Sequence, residues 1–308
     1  MGTPDFAVAS LDKLVKNNKN VVAVVTSPDK PAGRGQKLNE SAVKKYALEH
    51  QLKILQPEKL KSESFIEELK ALEADLFIVV AFRMLPEIVW NMPPKGTFNL
   101  HGSLLPQYRG AAPINWAIIN GEKESGVTTF FLKHEIDTGS IIHQAKTTIH
   151  ESMTAGELHD ALMEIGADLV LKTVFDIESN NVHPISQEET MKRNGINESE
   201  LRHAPKIFKN DMQINWNKSA KDIFHHIKGL SPYPTAFTQI NGLNLKVFNI
   251  EISDTLNIPN GEYQSDGKTF LKFQTADQSI SILELQLEGK KRMGIEEFLR
   301  GNGNILIC

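Results

Sequence analysis

Four short apolar runs limit what the front two-thirds of this chain can fold into. VVAVVTS from Val21, DLFIVVAF from Asp75, GTFNLHGS from Gly96 and GVTTFFLK from Gly126 are each far too short to cross a bilayer. Runs of this length, closed by turn residues, read as strands buried on both faces, the habit of parallel sheets. Helical patterns lie between them, over Ser41 to His50 and at Phe65, Leu69 and Leu72. A further helix starts at Thr154, where Glu157 completes a capping box and Met153 can staple onto Leu158. Leu158, Leu162, Ile165 and Leu169 then form its buried stripe. Repeated β-α units predict an α/β fold with a mostly parallel sheet and helices on both faces.

The pattern changes near residue 185. SQEETMKRNGINESELRHAPK is polar and lacks sustained periodicity, so 185–204 reads as a linker between a front domain (1–184) and a back domain (205–308). A chain of 308 residues is long enough for two such domains. The back domain opens with a helix over Ser219 to Leu230. Short strands and turn residues follow, in LNLKVFNIEIS, GEYQS, TFLKFQT and SISILELQ. A small antiparallel domain, with a five-stranded barrel the leading candidate, is the expectation. Phe237, Phe248 and Phe273 read as its core.

One cysteine, Cys308, gives no disulfide and no metal-binding cluster, which fits a reducing, cytoplasmic setting. The first ten residues lack the pattern of a signal peptide, and no membrane association is expected. The net charge of −4 argues against a nucleic-acid partner, but it divides unevenly. Residues 205–308 carry +1 and the first 204 carry −5, so any RNA contact must rest on local patches.

The most informative segment starts at Phe98: FNLHGSLLPQYRGAAPINWAI. Asn99 and His101, two apart on a strand, share a face. A carboxamide and an imidazole therefore converge near the strand's carboxyl end, where open α/β sheets bind ligands. Asp137, in HEIDTGSI, lies in a turn after the next strand and can reach the same place. The trio suits acyl transfer to an amine. Asn99 can donate to a developing oxyanion, His101 can take the amine proton, and Asp137 can orient the charged imidazole. Each residue also has a plainer reading: a structural histidine, a turn-forming Asn, and ordinary Asp-Thr-Gly turn chemistry. The order N-x-H-G-S-L-L-P followed by D-T-G is much more specific than any of them alone.

That order, with YRGAAPINWAI, resembles the catalytic core of the formyltransferase family that uses 10-formyltetrahydrofolate. GTPDFAVASL from Gly2, SPDKPAGRGQKL from Ser27 and LQLEGKKRMGIEEFLRG from Leu285 are similar to the methionyl-tRNA formyltransferase branch. The resemblance implies a Rossmann-like catalytic domain and an OB-like β-barrel that touches tRNA. It implies Asn99, His101 and Asp137 as the catalytic trio, and Ser103, Leu104, Leu105 and Pro106 as a folate-binding stretch. Phe82, Arg83, Met84 and Leu85 fall where the family lines its pterin pocket. The loop Asp29 to Lys37, with Lys30, Arg34 and Lys37, matches one that engages the tRNA acceptor end. Lys290, Lys291 and Arg292 form a second basic cluster for the tRNA. The implied partners are methionyl initiator tRNA and folate, with no metal, and the implied state is a monomer. From composition alone, the two basic segments read more readily as solvated surface.

Two departures from the family stand out. Members carry a short apolar strand before G-T-P-x-F, whereas this sequence opens with Met-Gly-Thr-Pro, so unpaired ladder groups are expected at that point in the sheet. FRML at Phe82 to Leu85 also lacks the glycine many members have nearby. Other amine acceptors (a sugar nucleotide or glycinamide ribonucleotide), water as acceptor, and a catalytically impaired tRNA-binding protein are the alternatives. The basic PAGRG loop and the GKKRM-bearing domain favour tRNA over the first two.

Overall fold

The computed structural model describes residues 1–32 and 37–302, which divide into two units. One holds residues 1–110, 126–147 and 159–203; the other holds 111–125, 148–158 and the chain from 204 onward. The chain opens with α1 (Asp5–Lys16), β1 (Val24–Val25) and a hairpin of β2 (Lys30–Ala32) and β3 (Lys37–Asn39). Next come α2 (Ala42–Glu49), β4 (Ile54–Leu55), α3 (Glu63–Lys70), β5 (Phe77–Val80) and α4 (Glu87–Trp90). β6 (Thr97–His101), β7 (Arg109–Gly110), α5 (Pro113–Ile119), β8 (Glu124–Phe131) and β9 (Ile141–Thr148) follow. The long α6 (Ala155–Glu178) and α7 (Gln187–Asn194) precede β10 (His203–Ala204).

In the first unit, β1 pairs with β4 in parallel, and β5 pairs with β6 in parallel. These pairings make the Rossmann-like part. The second group has the order β5-β6-β8-β9, and β8 runs antiparallel to β6. β8 thus adds an antiparallel strand beside the expected parallel pairs. Apolar runs buried on both faces suit either direction, so periodicity does not set the direction of GVTTFFLK. α1 turns Phe6, Ala7, Ser10 and Leu14 inward, with Asp5 in its first turn and Lys13 and Lys16 in its last, as the helix dipole favours. Thr154 and Glu157 cap α6 reciprocally: each accepts from the other's backbone N–H, at 2.7 and 3.2 Å.

Between β1 and β5 the sheet is interrupted. Val80 N donates to Met1 O (2.9 Å), and Gly2 N donates to Val25 O (3.0 Å), so the first two residues bridge both strands. A Cβ on Gly2 would sit 2.4 Å from the Ala7 Cβ, so the bridge requires glycine. Below it lies a cavity of about 610 Å³ lined by Leu14, Val24, Phe77, Val174 and Ile177 among others. The Ser10 hydroxyl, also in its wall, is buried with no partner among the described residues. The ladder groups expected to be unpaired here are met in part by Met1 and Gly2.

The segment read as a linker contains α7. Ser186 caps it by accepting from Glu189 N (3.1 Å), and Gly195 ends it in the left-handed region at φ 64°. Local capping chemistry, at Ser186, Glu189 and Gly195, makes a helix where apolar periodicity is absent.

The second unit is built on α8 (Ala220–Leu230), β11 (Ala236–Ile240), β12 (Leu243–Ser253), β13 (Tyr263–Ser265), β14 (Leu271–Gln274), β15 (Ser279–Leu287), β16 (Met293–Gly294) and α9 (Ile295–Asn302). Ser219 caps α8, which buries Ile223, Ile227 and Leu230. The sheet order is β11-β12-β15-β14-β13, all neighbours antiparallel, with the short β16 added on β15. Phe273, Ile280, Ile282 and Leu285 join the α8 residues and Phe298 in one core.

Candidate active site

β6 has two unlike faces. Phe98 and Leu100 point one way, and Leu100 packs beside Gly166 of α6, where a Cβ would meet it at 2.9 Å. Asn99 and His101 point the other way. Asn99 is partly buried, and none of the described residues hydrogen-bonds its carboxamide. His101 is only 6% exposed and lies edge-on to Phe130 of β8. Its Nε2 lies 2.8 Å from the Tyr108 carbonyl. A carbonyl only accepts, so Nε2 carries the proton and Nδ1 keeps the lone pair. Tyr108 is itself held at φ 61°, with its N–H donating to Arg202 O at 2.6 Å.

The loop after β8 folds back over this face. A Cβ on Gly139 would lie 3.2 Å from the Phe130 ring, and Phe131 N donates to Ser140 O. Asp137, at φ 56°, is brought beside His101, its Oδ2 3.9 Å from Nδ1. That distance permits an ion pair once the ring is protonated, but it is too long for a hydrogen bond. Asp137 Oδ2 instead accepts from Gly110 N at 3.0 Å. The Tyr108 carbonyl is therefore what orients the ring, while the carboxylate faces the nitrogen that gains a proton. An uncommitted amide donor, an imidazole lone pair and a fixed carboxylate on one patch can stabilise an oxyanion and accept an amine proton.

The model of the "Formyl transferase" family matches residues 1–174, and that of "Formyl transferase, C-terminal domain" matches 206–303. The chain belongs to the formyl transferase family. A methionyl-tRNA formyltransferase of Bacteroides thetaiotaomicron is 53% identical over 307 residues, covering 98% of this chain and 94% of the relative. One from Phocaeicola vulgatus is 56% identical over 310 residues, with the same coverage. Among solved structures, WlaRD, a sugar 3N-formyl transferase crystallised with dTDP and 5-N-formyl-THF, shares the fold. Its TM-score is 0.66 at 22% identity, over 94% of this chain and 97% of that one. HypX from Aquifex aeolicus, in complex with tetrahydrofolic acid, aligns with TM-score 0.60 at 20% identity over 84% of this chain and 44% of its own.

In this formyl transferase the SLLP loop turns inward. Ser103 Oγ donates to Gln107 O (2.6 Å), and Leu105 is 1% exposed. Pro106 is buried, and Leu104 packs against Gly126. The fully buried Thr128 hydroxyl pins the loop to β8, donating to Ser103 O (2.7 Å) and accepting from Leu105 N (3.1 Å) and Gln144 Nε2 (3.0 Å). The side chains of this stretch thus pack into the interior. Phe82 to Leu85 follow β5 and lie next to the carboxyl end of β6, since Val79 pairs with Asn99. Leu85 is core, and Arg83 donates to the carbonyls of Pro57 and Glu58. Met84 stands 75% exposed and Phe82 is partly so, which leaves these two as apolar surface at the strand end.

The basic segments differ in how free their charges are. Lys30 is exposed at the foot of the β2–β3 hairpin. Asp29 anchors that foot through Gln56 (2.9 Å) and Lys44, and the Lys44 hydrogen bond, then Gln56, hold its carboxyl below the ordinary range. Arg34 and the Lys37 side chain lie outside the described residues. Lys290 and Lys291 are exposed. Arg292 is committed, donating twice to Glu284 (2.8 and 2.6 Å) with its guanidinium 4.2 Å from the Phe248 ring centre. Sequence reasoning missed Tyr108, Gly110, Thr128 and Gln187. Only Thr128 left a trace, as a polar residue inside a run otherwise fit for burial.

Proposed function

We propose that this chain transfers the formyl group of 10-formyltetrahydrofolate to the α-amino group of methionyl initiator tRNA. The observation that carries the reading is the Asn99–His101 face, with the His101 lone pair turned toward Asp137. The residues suit a formyl donor: Asn99 has an unused carboxamide beside the imidazole, and Phe82 and Met84 offer apolar surface next to it. The donor supplies the formyl carbon. As the acceptor amine bonds to that carbon, Asn99 donates to the formyl oxygen, where charge builds. His101 Nδ1 takes the proton the amine loses, and Asp137 faces the resulting imidazolium. His101 then returns a proton to the nitrogen from which the formyl group departs. No covalent enzyme intermediate is needed.

The full-length likeness to methionyl-tRNA formyltransferases supports tRNA as the acceptor. In this reading the second unit is an OB-like barrel on the tRNA. Lys290 and Lys291 meet phosphates, and the segment Asp29 to Lys37, with Lys30, Arg34 and Lys37, meets the acceptor end. The enzyme works in the cytoplasm as a monomer. The test is transfer of labelled formyl from 10-formyltetrahydrofolate to methionyl initiator tRNA, with methionyl elongator tRNA, free methionine and a sugar-nucleotide amine as competing acceptors. Preference for the initiator tRNA is the expected result. Transfer to the sugar amine, or release of formate alone, would replace the acceptor.

A further inference from the structure

Gln187 is the first residue of α7, 3% exposed, and its carboxamide is fully used. Both hydrogens of Nε2 are committed, one to Asp137 O at 2.7 Å and one to Gly139 O at 3.0 Å. Its Oε1 accepts from Arg109 Nε at 2.9 Å and from Arg109 Nη2 at 2.6 Å. One buried side chain thus grips the turn of Asp137 on both sides and ties it to Arg109. The residue after Arg109 is Gly110, whose N–H holds the Asp137 carboxylate, and the residue before it is Tyr108, whose carbonyl holds His101. Asp137 sits in the left-handed region, which a non-glycine residue keeps only when its surroundings enforce it. Among the described residues, Asp137 is the only acidic group within 4 Å of the His101 ring nitrogens.

We propose that Gln187 is a positioning residue for formyl transfer, fixing the Asp137–Gly139 turn so that the carboxylate faces His101 Nδ1. This rests on the roles given above to His101 and Asp137. Gln187 acts through them and touches no substrate. The polar segment around α7 is thereby part of the catalytic apparatus.

Two substitutions separate this role from plain packing. Gln187→Glu still accepts from Arg109 but has no hydrogens for the carbonyls of Asp137 and Gly139. Gln187→Met keeps the side-chain length and loses every hydrogen bond, and it serves if the buried carboxylate prevents folding. The first readout is the His101 Nδ1 resonance by NMR at one fixed pH, which needs no acceptor and so stays informative whatever the acceptor is. Moving the Asp137 carboxylate changes the surroundings of Nδ1, so either variant displaces that resonance, as Asp137→Asn does. The second readout is a double-mutant cycle in the transfer assay. Gln187→Glu lowers kcat roughly 10- to 100-fold with little change in either KM, and adds almost nothing in the Asp137→Asn background. An unmoved His101 Nδ1 resonance in a folded variant overturns the proposal. So does a kcat loss of equal size in both backgrounds. Wild-type activity, read in the same assay, decides the acceptor separately.

Discussion

His101 and Phe273 are both buried, at 6% and 1% exposure, but their surroundings are opposite in kind. Around His101 the contacts are polar and one-to-one: a carbonyl for Nε2, a backbone N–H for the Asp137 carboxylate, a carboxamide for the turn. Around Phe273 they are broad and apolar, with Trp216 stacked at 4.5 Å and Tyr263 tilted at 5.6 Å. The first arrangement holds a few atoms at set distances and contributes little to burial. The second removes area from water and tolerates small shifts. Chemistry and stability are therefore carried by different regions, and substitutions can tell them apart.

The largest expected effect is on the chemical side. His101→Ala should lower kcat for formyl transfer by roughly 10²- to 10⁴-fold, with a stability loss of only about 1–3 kcal/mol from the lost hydrogen bond to the Tyr108 carbonyl. Phe273→Ala should do the reverse. Truncating a fully packed aromatic costs about 3–5 kcal/mol, read as a lower urea midpoint, while the chemical step on folded enzyme keeps its rate. If His101→Ala melts the protein or Phe273→Ala slows the chemical step, the separation fails.

The smallest effect concerns the basic surface. Replacing Lys290 or Lys291 with Glu should weaken tRNA binding and reduce its salt dependence by about one unit per lost phosphate contact. Arg292→Ala should change it less, because that charge is already spent on Glu284 and the Phe248 ring.

Much of this was legible in the chain. Apolar runs located β5, β6 and β8, the Thr154–Glu157 box located α6, and the i, i+2 spacing put Asn99 and His101 on one face. The missing information is of two kinds. The direction of β8 depends on pairing partners, and a run buried on both faces does not encode them. The positioning of His101 and Asp137 depends on a main-chain carbonyl of Tyr108 and a main-chain N–H of Gly110, groups that nearly every residue carries, so the sequence does not announce their roles. Gln187 was hidden for a related reason: its surroundings look polar and aperiodic, and only the fold brings it to Asp137.

The most direct measurement is single-turnover formyl transfer by wild type and Asn99→Ala, with the affinity for methionyl initiator tRNA measured in parallel. The account predicts a rate lower by roughly 10²- to 10³-fold, the loss expected for one oxyanion donor, at unchanged tRNA affinity. An unchanged rate, or a loss confined to tRNA affinity, would contradict the assignment of formyl transfer to the Asn99–His101 face.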